Sequence, residues 1–250
     1  MNNQSGLKRG ITGIIVVDKP LGISSMDVVR RVRKVVPRIV VQGKNGRLKE
    51  KWARVGHGGT LDPLATGVVI VCIGKATKSV SKLMGMEKTY IAEIDLSAFT
   101  ITDDAEGDRE EVQVDNIPTQ DQIRTTLDTH FTGRIMQTPP KYSAIHVDGK
   151  RAYKLARAGK DVKIEPRPVD IYSITIDRYT YPNLTLTIRC GKGTYIRSIA
   201  RDLGNKLNTG GYLTALRRTQ VGPFKVQDAH PIERFETKVE QGDLMVLMEF

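Results

Sequence analysis

Short apolar runs alternate along the chain with polar stretches punctuated by glycine and proline, and the periods of those runs predict a mixture of strands and helices. Residues 12–17 (Thr-Gly-Ile-Ile-Val-Val) read as a buried strand that enters the turn Asp18-Lys19-Pro20-Leu21-Gly22. Ser24 and Ser25 suit the start of a helix whose Met26, Val29, Val32 and Val36 recur at helical spacing, and Pro37 stops it. Val68 to Ile73 predicts a second buried strand, and Lys78 to Met86 a short helix with Val80, Leu83 and Met84 as its apolar stripe. Tyr90, Ala92, Ile94 and Leu96 alternate with more polar neighbours, the period of a half-buried strand. Thr119 caps a helix through Ile123, Leu127 and Phe131 that Gly133 ends. Ile171 to Ile176 and Leu184 to Cys190 predict a strand pair joined near Tyr181-Pro182-Asn183. Tyr195 to Leu207 reads as a helix with Tyr195 and Arg197 in its first turn, and Leu213 to Val226 as a basic strand.

Four stretches do not resolve into regular elements. Val55 to Gly67 places four glycines, His57 and a lone acid, Asp62, in a shaped loop just before the second strand, and Pro63 biases Asp62 toward an extended backbone. Arg38 to Trp52 is mostly basic around Gly43-Lys44-Asn45-Gly46 and predicts a mobile hairpin or loop, at most in contact with phosphates. Thr102 to Asp108 is acidic but lacks the closing glutamate of a calcium loop, so a turn is expected. Residues 137–168 form a long excursion broken by four prolines and two glycines, with one short helical pattern from Arg151 to Ala158. Its Tyr142 and Tyr153 are interleaved with Lys141, Lys150, Arg151, Lys154 and Arg157, the mixture of stacking and cationic groups that holds a nucleic acid.

Charge strengthens that reading. Lysine and arginine outnumber the acids 39 to 28 over 250 residues, which points to a polyanionic partner. The excess is uneven: Arg30 to Arg54 carries ten basic residues and one acid, Glu87 to Asp128 three and twelve, and Phe131 to Pro168 nine and three. A binding face and a non-binding face follow from that segregation. No apolar run reaches the ~20 residues of a membrane-spanning helix, and the first ten residues lack an apolar signal core, so a cytoplasmic protein with no membrane partner is expected. Cys72 and Cys190 lie in apolar runs as buried thiols, and the four scattered histidines spell no metal site.

The string GHGGTLDPLATGVVIVCIGKATK resembles the aspartate-bearing motif of the TruB family of pseudouridine synthases. The resemblance extends, in family order, through GIIVVDKPLGISS, the Lys88-Thr89-Tyr90 block, TDDAEGD, FTGRIMQTPPKYSAIHVDGKRAYKLARAG, KGTYIRSIARDLG and the final Leu216-Arg217-Arg218. It implies an α+β fold on a mixed, largely antiparallel central sheet flanked by helices. A single catalytic domain over residues 1–250 is expected, with 137–168 as an inserted, thumb-like RNA-binding segment. The implied activity is isomerisation of uridine to pseudouridine in the T-loop (position 55) of tRNA, without cofactor or metal, by a monomer with no obligate protein partner.

The resemblance also carries roles to individual residues. It makes Asp62 the catalytic carboxylate, Tyr90 the active-site tyrosine and Arg197 the partner of the aspartate, with His57, Tyr195 and Leu216 as substrate contacts. Lys141, Lys150, Arg151, Lys154 and Arg157 remain candidates for the RNA backbone. A carboxylate can attack the anomeric carbon or help remove the sugar 2′ proton, and the sequence does not choose between them. The alternatives are a pseudouridine synthase for another RNA and a tRNA-binding folding chaperone. Three departures stand out: Gly58 where the family commonly has threonine, expected to loosen the loop; the long basic segment from about Val36 to Arg54; and the lack of a C-terminal RNA-binding (PUA-type) module after Phe224, expected to weaken tRNA binding.

Overall fold

The computed structural model describes residues 11–245 apart from 43, 44, 46, 148 and 161. The chain divides into two compact units, residues 1–86 with 218–250, and residues 87–217.

The first unit begins with β1 (Gly13–Lys19) and α1 (Ser25–Val35), continues through the hairpin β2 (Ile39–Gln42) and β3 (Leu48–Lys51), and reaches β4 (Val55–His57) and β5 (Ala65–Ile73). A 3-10 turn (Gly74–Ser79) then leads into α2 (Val80–Gly85). Ser24 caps α1, its hydroxyl accepting from the Asp27 amide while Asp27 reaches back to the Ser24 amide, so two orphan donors are satisfied reciprocally. The buried stripe of α1 is Val28, Val29 and Val32. Met26, expected on that stripe, is 46% exposed, because Ser25 turns inward at the helix start instead. β1 and β5 are antiparallel from Gly13↔Ile73 to Lys19↔Gly67, and β4 pairs with β5 over Val55↔Ile73 to His57↔Val71. Ile14, Val16, Val68, Ile70 and Cys72 bury one face of this ladder with Leu83 and Val221. Met84 is 50% exposed: α2 is only six residues long, so Leu83 alone of the expected stripe is fully buried.

The second unit runs through β6 (Lys88–Asp95), the hairpin β7 (Ala98–Thr100) and β8 (Arg109–Glu111), α3 (Gln120–His130) and β9 (Gly133–Gln137). There follow β10 (His146–Val147), β11 (Lys150–Arg151), α4 (Ala152–Arg157), β12 (Arg167–Thr180), β13 (Asn183–Cys190), α5 (Ile196–Leu207) and β14 (Tyr212–Val221), whose residues from Arg218 count with the first unit. The strand order β6-β13-β12-β9 is antiparallel throughout. Ala92, Ile94, Leu184, Leu186 and Ile188 are buried on these strands, and Ile123, Leu127, Ile199 and Leu203 on the helices α3 and α5.

The chain then returns to the first unit with β15 (Phe224–Lys225) and β16 (His230–Pro231), the latter parallel to β1. The basic strand expected through Val226 ends at Val221, because Gly222 adopts φ +51 and the chain turns back to pair Val221 with Phe224. Ile232, Phe235, Val239 and Leu244 are buried as the chain continues, and Met245 bonds back to Ile14.

The α+β class with a mostly antiparallel sheet and flanking helices is borne out. The excursion between β9 and β12 holds the small hairpin β10–β11 and α4, close to the helical pattern read from the sequence. The expected hairpin at Arg38–Trp52 forms as β2–β3, although Gly43, Lys44 and Gly46 of its turn lie outside the described residues, as do the first ten residues. No helix among the described residues is long and apolar enough to cross a membrane.

Candidate active site

Asp62 sits half-buried on a tight turn in which the Ala65 amide donates to the Asp62 carbonyl at 3.1 Å. Pro63 occupies the second position of that turn, where its fixed φ fits. Several bonds hold the turn by its backbone. Ser25 Oγ both donates to the Leu61 carbonyl (3.0 Å) and accepts from the Leu61 amide (2.7 Å), acting as a short strand would. The Gly22 amide donates to the Pro63 carbonyl at 2.9 Å, and the Gly58 amide to the Ile70 carbonyl at 2.8 Å.

Two buried cations complete the frame. Lys19, fully buried, donates from Nζ to the carbonyls of Ile23 (2.7 Å), Pro20 (2.9 Å) and Pro63 (3.4 Å). Arg218, 2% exposed, donates from Nε to Val68 O at 2.7 Å and from its two terminal nitrogens to Thr60 O at 3.1 Å and Gly59 O at 3.3 Å. A planar guanidinium with donors on three nitrogens is suited to gathering carbonyls from both the loop and the strand that follows it. Gly67 makes room for this strand: its φ is +105, and a Cβ there would lie 2.2 Å from the Arg218 carbonyl. Burial pushes the Lys19 ammonium down to about 8; the Asp62 charge opposes that shift, Arg218 reinforces it and Asp27 opposes it. The Asp62 charge therefore acts on the lysine that ends β1.

His57 ends β4, half-buried, with Nδ1 buried and without a hydrogen-bond partner among the described residues. Burial holds its pKa below the ordinary value, a backbone contact at Gly59 opposes this, and Arg218 adds to the depression. A neutral imidazole at pH 7 is the result.

Gly58 does not loosen the loop as expected. It is buried, and a Cβ there would lie 2.9 Å from Leu83 Cβ and 3.2 Å from Leu83 Cδ1, so glycine is what lets the loop lie against α2. Gly58→Thr is expected to destabilise the fold by about 1–3 kcal/mol through overpacking. Thermal unfolding of Gly58→Thr, Leu83→Ala and the double variant checks this: the threonine should cost less in the Leu83→Ala background, where the 3.2 Å approach to Leu83 Cδ1 is gone and the 2.9 Å approach to Leu83 Cβ remains.

In the second unit, Tyr195 caps α5 and its backbone is clamped by buried Gln137, which donates to Tyr195 O (3.0 Å) and accepts from Tyr195 N (2.8 Å). The guanidinium of Arg167 lies 5.1 Å from the Tyr195 ring centroid. Arg197, 6% exposed, pairs with Asp104 at 3.3 Å and donates to the carbonyls of Thr102 and Tyr142, each at 3.1 Å. One turn on, Arg201 pairs with Asp103 at 2.8 Å and donates to Thr138 O at 2.9 Å. The acidic stretch is thus a turn, as expected, and also the clamp for two arginines of α5. Asp103 adopts φ 60 to reach it. Burial pushes the Asp103 carboxyl up to about 6, against the pull of Arg201 and Arg197. Among the described residues, no group of three acidic, histidine or cysteine side chains is arranged to hold a metal.

Tyr90 is buried on β6 opposite Ile188, and Leu216 is 8% exposed on β14. The candidate residues divide between the units: Asp62 and His57 belong to the first, and Tyr90, Tyr195, Arg197 and Leu216 to the second. Lys141, Lys150, Arg151, Lys154 and Arg157 are all exposed on the excursion, with Arg151 donating to Ala144 O at 3.1 Å and Arg157 5.7 Å from the Tyr153 ring. Sequence reading missed Lys19, Ser25 as a bridge, Asp103 and Asp104 as arginine partners, Gln137, and Arg218 as an anchor. Neither the lysine before Pro20 nor the arginine inside the basic strand carries a sequence signal of that role.

The chain is similar to known proteins over most of its length. The family model described as TruB family pseudouridylate synthase (N terminal domain) matches residues 47–196, and that of the tRNA pseudouridylate synthase B C-terminal domain matches residues 197–247. A protein of Paenarthrobacter aurescens named tRNA pseudouridine synthase B is 43% identical over 236 residues, covering 92% of this chain and 71% of the relative. One of the same name from Dinoroseobacter shibae is 43% identical over 233 residues, covering 91% and 70%. Among solved structures, a Cbf5–Nop10–Gar1 complex contains a chain with a TM-score of 0.62 and 26% identity, matched over 88% of this chain; the chain spans about half (52%) of that one's length. With an aspartate presented on a backbone-anchored turn inside the matched region, and relatives similar over nearly its whole length, the chain belongs to the TruB family of pseudouridylate synthases.

Proposed function

We propose that this enzyme isomerises uridine to pseudouridine at position 55, in the T-loop of tRNA, as a cytoplasmic monomer using no cofactor. The observation that carries the reading is the Asp62 turn, whose backbone is fixed from three sides by Ser25, Lys19 and Arg218 while Asp62 itself stays half-buried. A preorganised carboxylate is what the reaction asks of a protein. The glycosidic C1′–N1 bond breaks, the uracil turns, C1′ joins C5, the C5 proton leaves and N1 takes a proton, with no net redox change. Asp62 acts at C1′ as nucleophile or starts a glycal route by helping to remove the 2′ proton; both need it ionised.

The target base must leave its stack, at a cost of a few kcal/mol. Tyr90 is assigned to stacking on the flipped uracil, with Tyr195 and Leu216 as further substrate contacts and His57 filling space near the vacated loop. A neutral, half-buried imidazole suits a space-filling role. Arg197 is assigned to orienting the aspartate by charge-assisted hydrogen bonding, and its fixation by Asp104 and two carbonyls supports that role. The exposed cations of residues 137–168 are assigned to RNA phosphates. The names of the 43%-identical relatives support tRNA as substrate.

Carbodiimide mapping of unmodified tRNA incubated with the purified protein tests the reading. A reverse-transcription stop at the T-loop uridine is expected only when the protein is present, and its absence would overturn the assignment.

A further inference from the structure

The first unit carries a basic element that the chemistry at Asp62 does not use. The β2–β3 ribbon is antiparallel from Ile39↔Lys51 to Gln42↔Leu48, and every residue of β3 is exposed. Alternation puts Lys49 and Lys51 on one face of the ribbon with Ile39 and Val41, while Glu50 and Val40 face the other way. On that second side Arg38 approaches Glu50 at 3.5 Å and lies 4.6 Å from the ring centroid of Trp52, which is 49% exposed. The only acid of the ribbon is therefore engaged by Arg38. Among the described residues, Lys49 and Lys51 make no ion pair within 4 Å. Arg47 and Arg54 are exposed at either end of this strand, and Arg30, Arg31 and Lys34 are exposed on the preceding α1.

With all of β3 exposed and Ile39, Val40 and Val41 only half-buried, the ribbon buries too little to be kept for packing; its two lysines fit a nucleic-acid backbone, and the half-exposed indole on its opposite face an unstacked base or ribose. We propose that the exposed edge of β3 is a second RNA-contacting surface, separate from the 137–168 excursion, along which Lys49 and Lys51 hold tRNA phosphates from one face of the ribbon while Trp52 meets the RNA from the other. The proposal rests on tRNA being the substrate.

Trp52 is the single tryptophan of the chain, so its fluorescence reports on the ribbon directly. Titration with tRNA is expected to change the Trp52 emission in step with binding. Lys49→Ala/Lys51→Ala is expected to weaken tRNA binding about tenfold at physiological salt. It should also reduce the slope of log affinity against log salt by about 1.5, the loss of two phosphate contacts. Lys49→Arg/Lys51→Arg keeps both charges and should bind as the wild type does, which separates a charge effect from a folding effect. An unchanged Trp52 emission at saturating tRNA, or an alanine variant with wild-type affinity and salt slope, would overturn the proposal. Conversion of the T-loop uridine by the wild type is the independent check on the substrate: its failure removes the functional reading whatever the ribbon does. Loss of binding to anionic lipid vesicles in the alanine variant, with tRNA binding intact, would assign the ribbon to a different partner and likewise overturn it.

Discussion

Asp62→Asn is expected to reduce pseudouridine formation by at least about a thousandfold while tRNA still binds within about twofold of wild type. An amide is isosteric with the carboxylate but neither attacks C1′ nor accepts the 2′ proton. The bond that closes the turn uses the Asp62 carbonyl, and the flanking bonds use Leu61 and Pro63, so the loop keeps its shape in the variant. Release of tritium from uracil C5 under single-turnover conditions measures the chemical step, since that proton leaves only after C5 has joined the sugar. Turnover within about tenfold of wild type would remove Asp62 from the chemistry. The same variant separates catalysis from assisted tRNA folding: if the variant still speeds refolding of a misfolded tRNA, that second activity belongs to binding alone.

Arg218→Met is expected to have the largest effect on stability, about 3–5 kcal/mol. Methionine fills much of the same volume but donates nothing, leaving the carbonyls of Val68, Thr60 and Gly59 without the guanidinium that joins them. Each unsatisfied buried carbonyl costs about 1–3 kcal/mol, and the buried site offers little water in exchange. Urea unfolding should show the loss as a lowered midpoint at an unchanged slope. The variant that remains folded should also be slower by roughly a hundredfold, because the turn presenting Asp62 loses one of its three anchors. A midpoint shift equivalent to less than about 1 kcal/mol would mean that water or neighbouring donors replace Arg218, and that the turn is fixed by Ser25 and Lys19 alone. Arg218→Lys is informative beside it: a lysine can reach one carbonyl but not all three.

Elements with a strong local period were legible in the sequence. The β6 alternation, the Thr119 cap of α3 and the β12–β13 pair stand where the pattern places them. Misassignments fall where tertiary packing overrides phase. Val28 replaces Met26 in the core of α1, Met84 faces outward from a helix too short for a stripe, and a left-handed glycine ends β14 five residues early. The site shows the same division. Asp62 was legible because glycine, proline and a lone acid occur together within one short loop. Its supports were not, since Ser25 reaches Leu61 across 36 positions, Lys19 reaches Pro63 across 44, and Arg218 reaches Thr60 across 158. A lysine in a turn and an arginine inside a basic strand carry no mark in the sequence that they will be buried facing carbonyls. The acidic loop read as a turn for the same reason: only the fold brings Asp103 and Asp104 to Arg201 and Arg197.

The anchoring of the Asp62 turn through main-chain atoms has a consequence for how this protein tolerates change. Ser25, Lys19 and Arg218 grip carbonyls and an amide, groups that every residue type other than proline supplies, so the conformation of residues 59–63 is written largely outside those residues. Side chains such as exposed Thr60 are free to drift to alter contacts with RNA while the carboxylate stays aimed. The three anchoring residues have no such freedom: the loop that looks most specialised is open to redesign, and its inconspicuous supports are not.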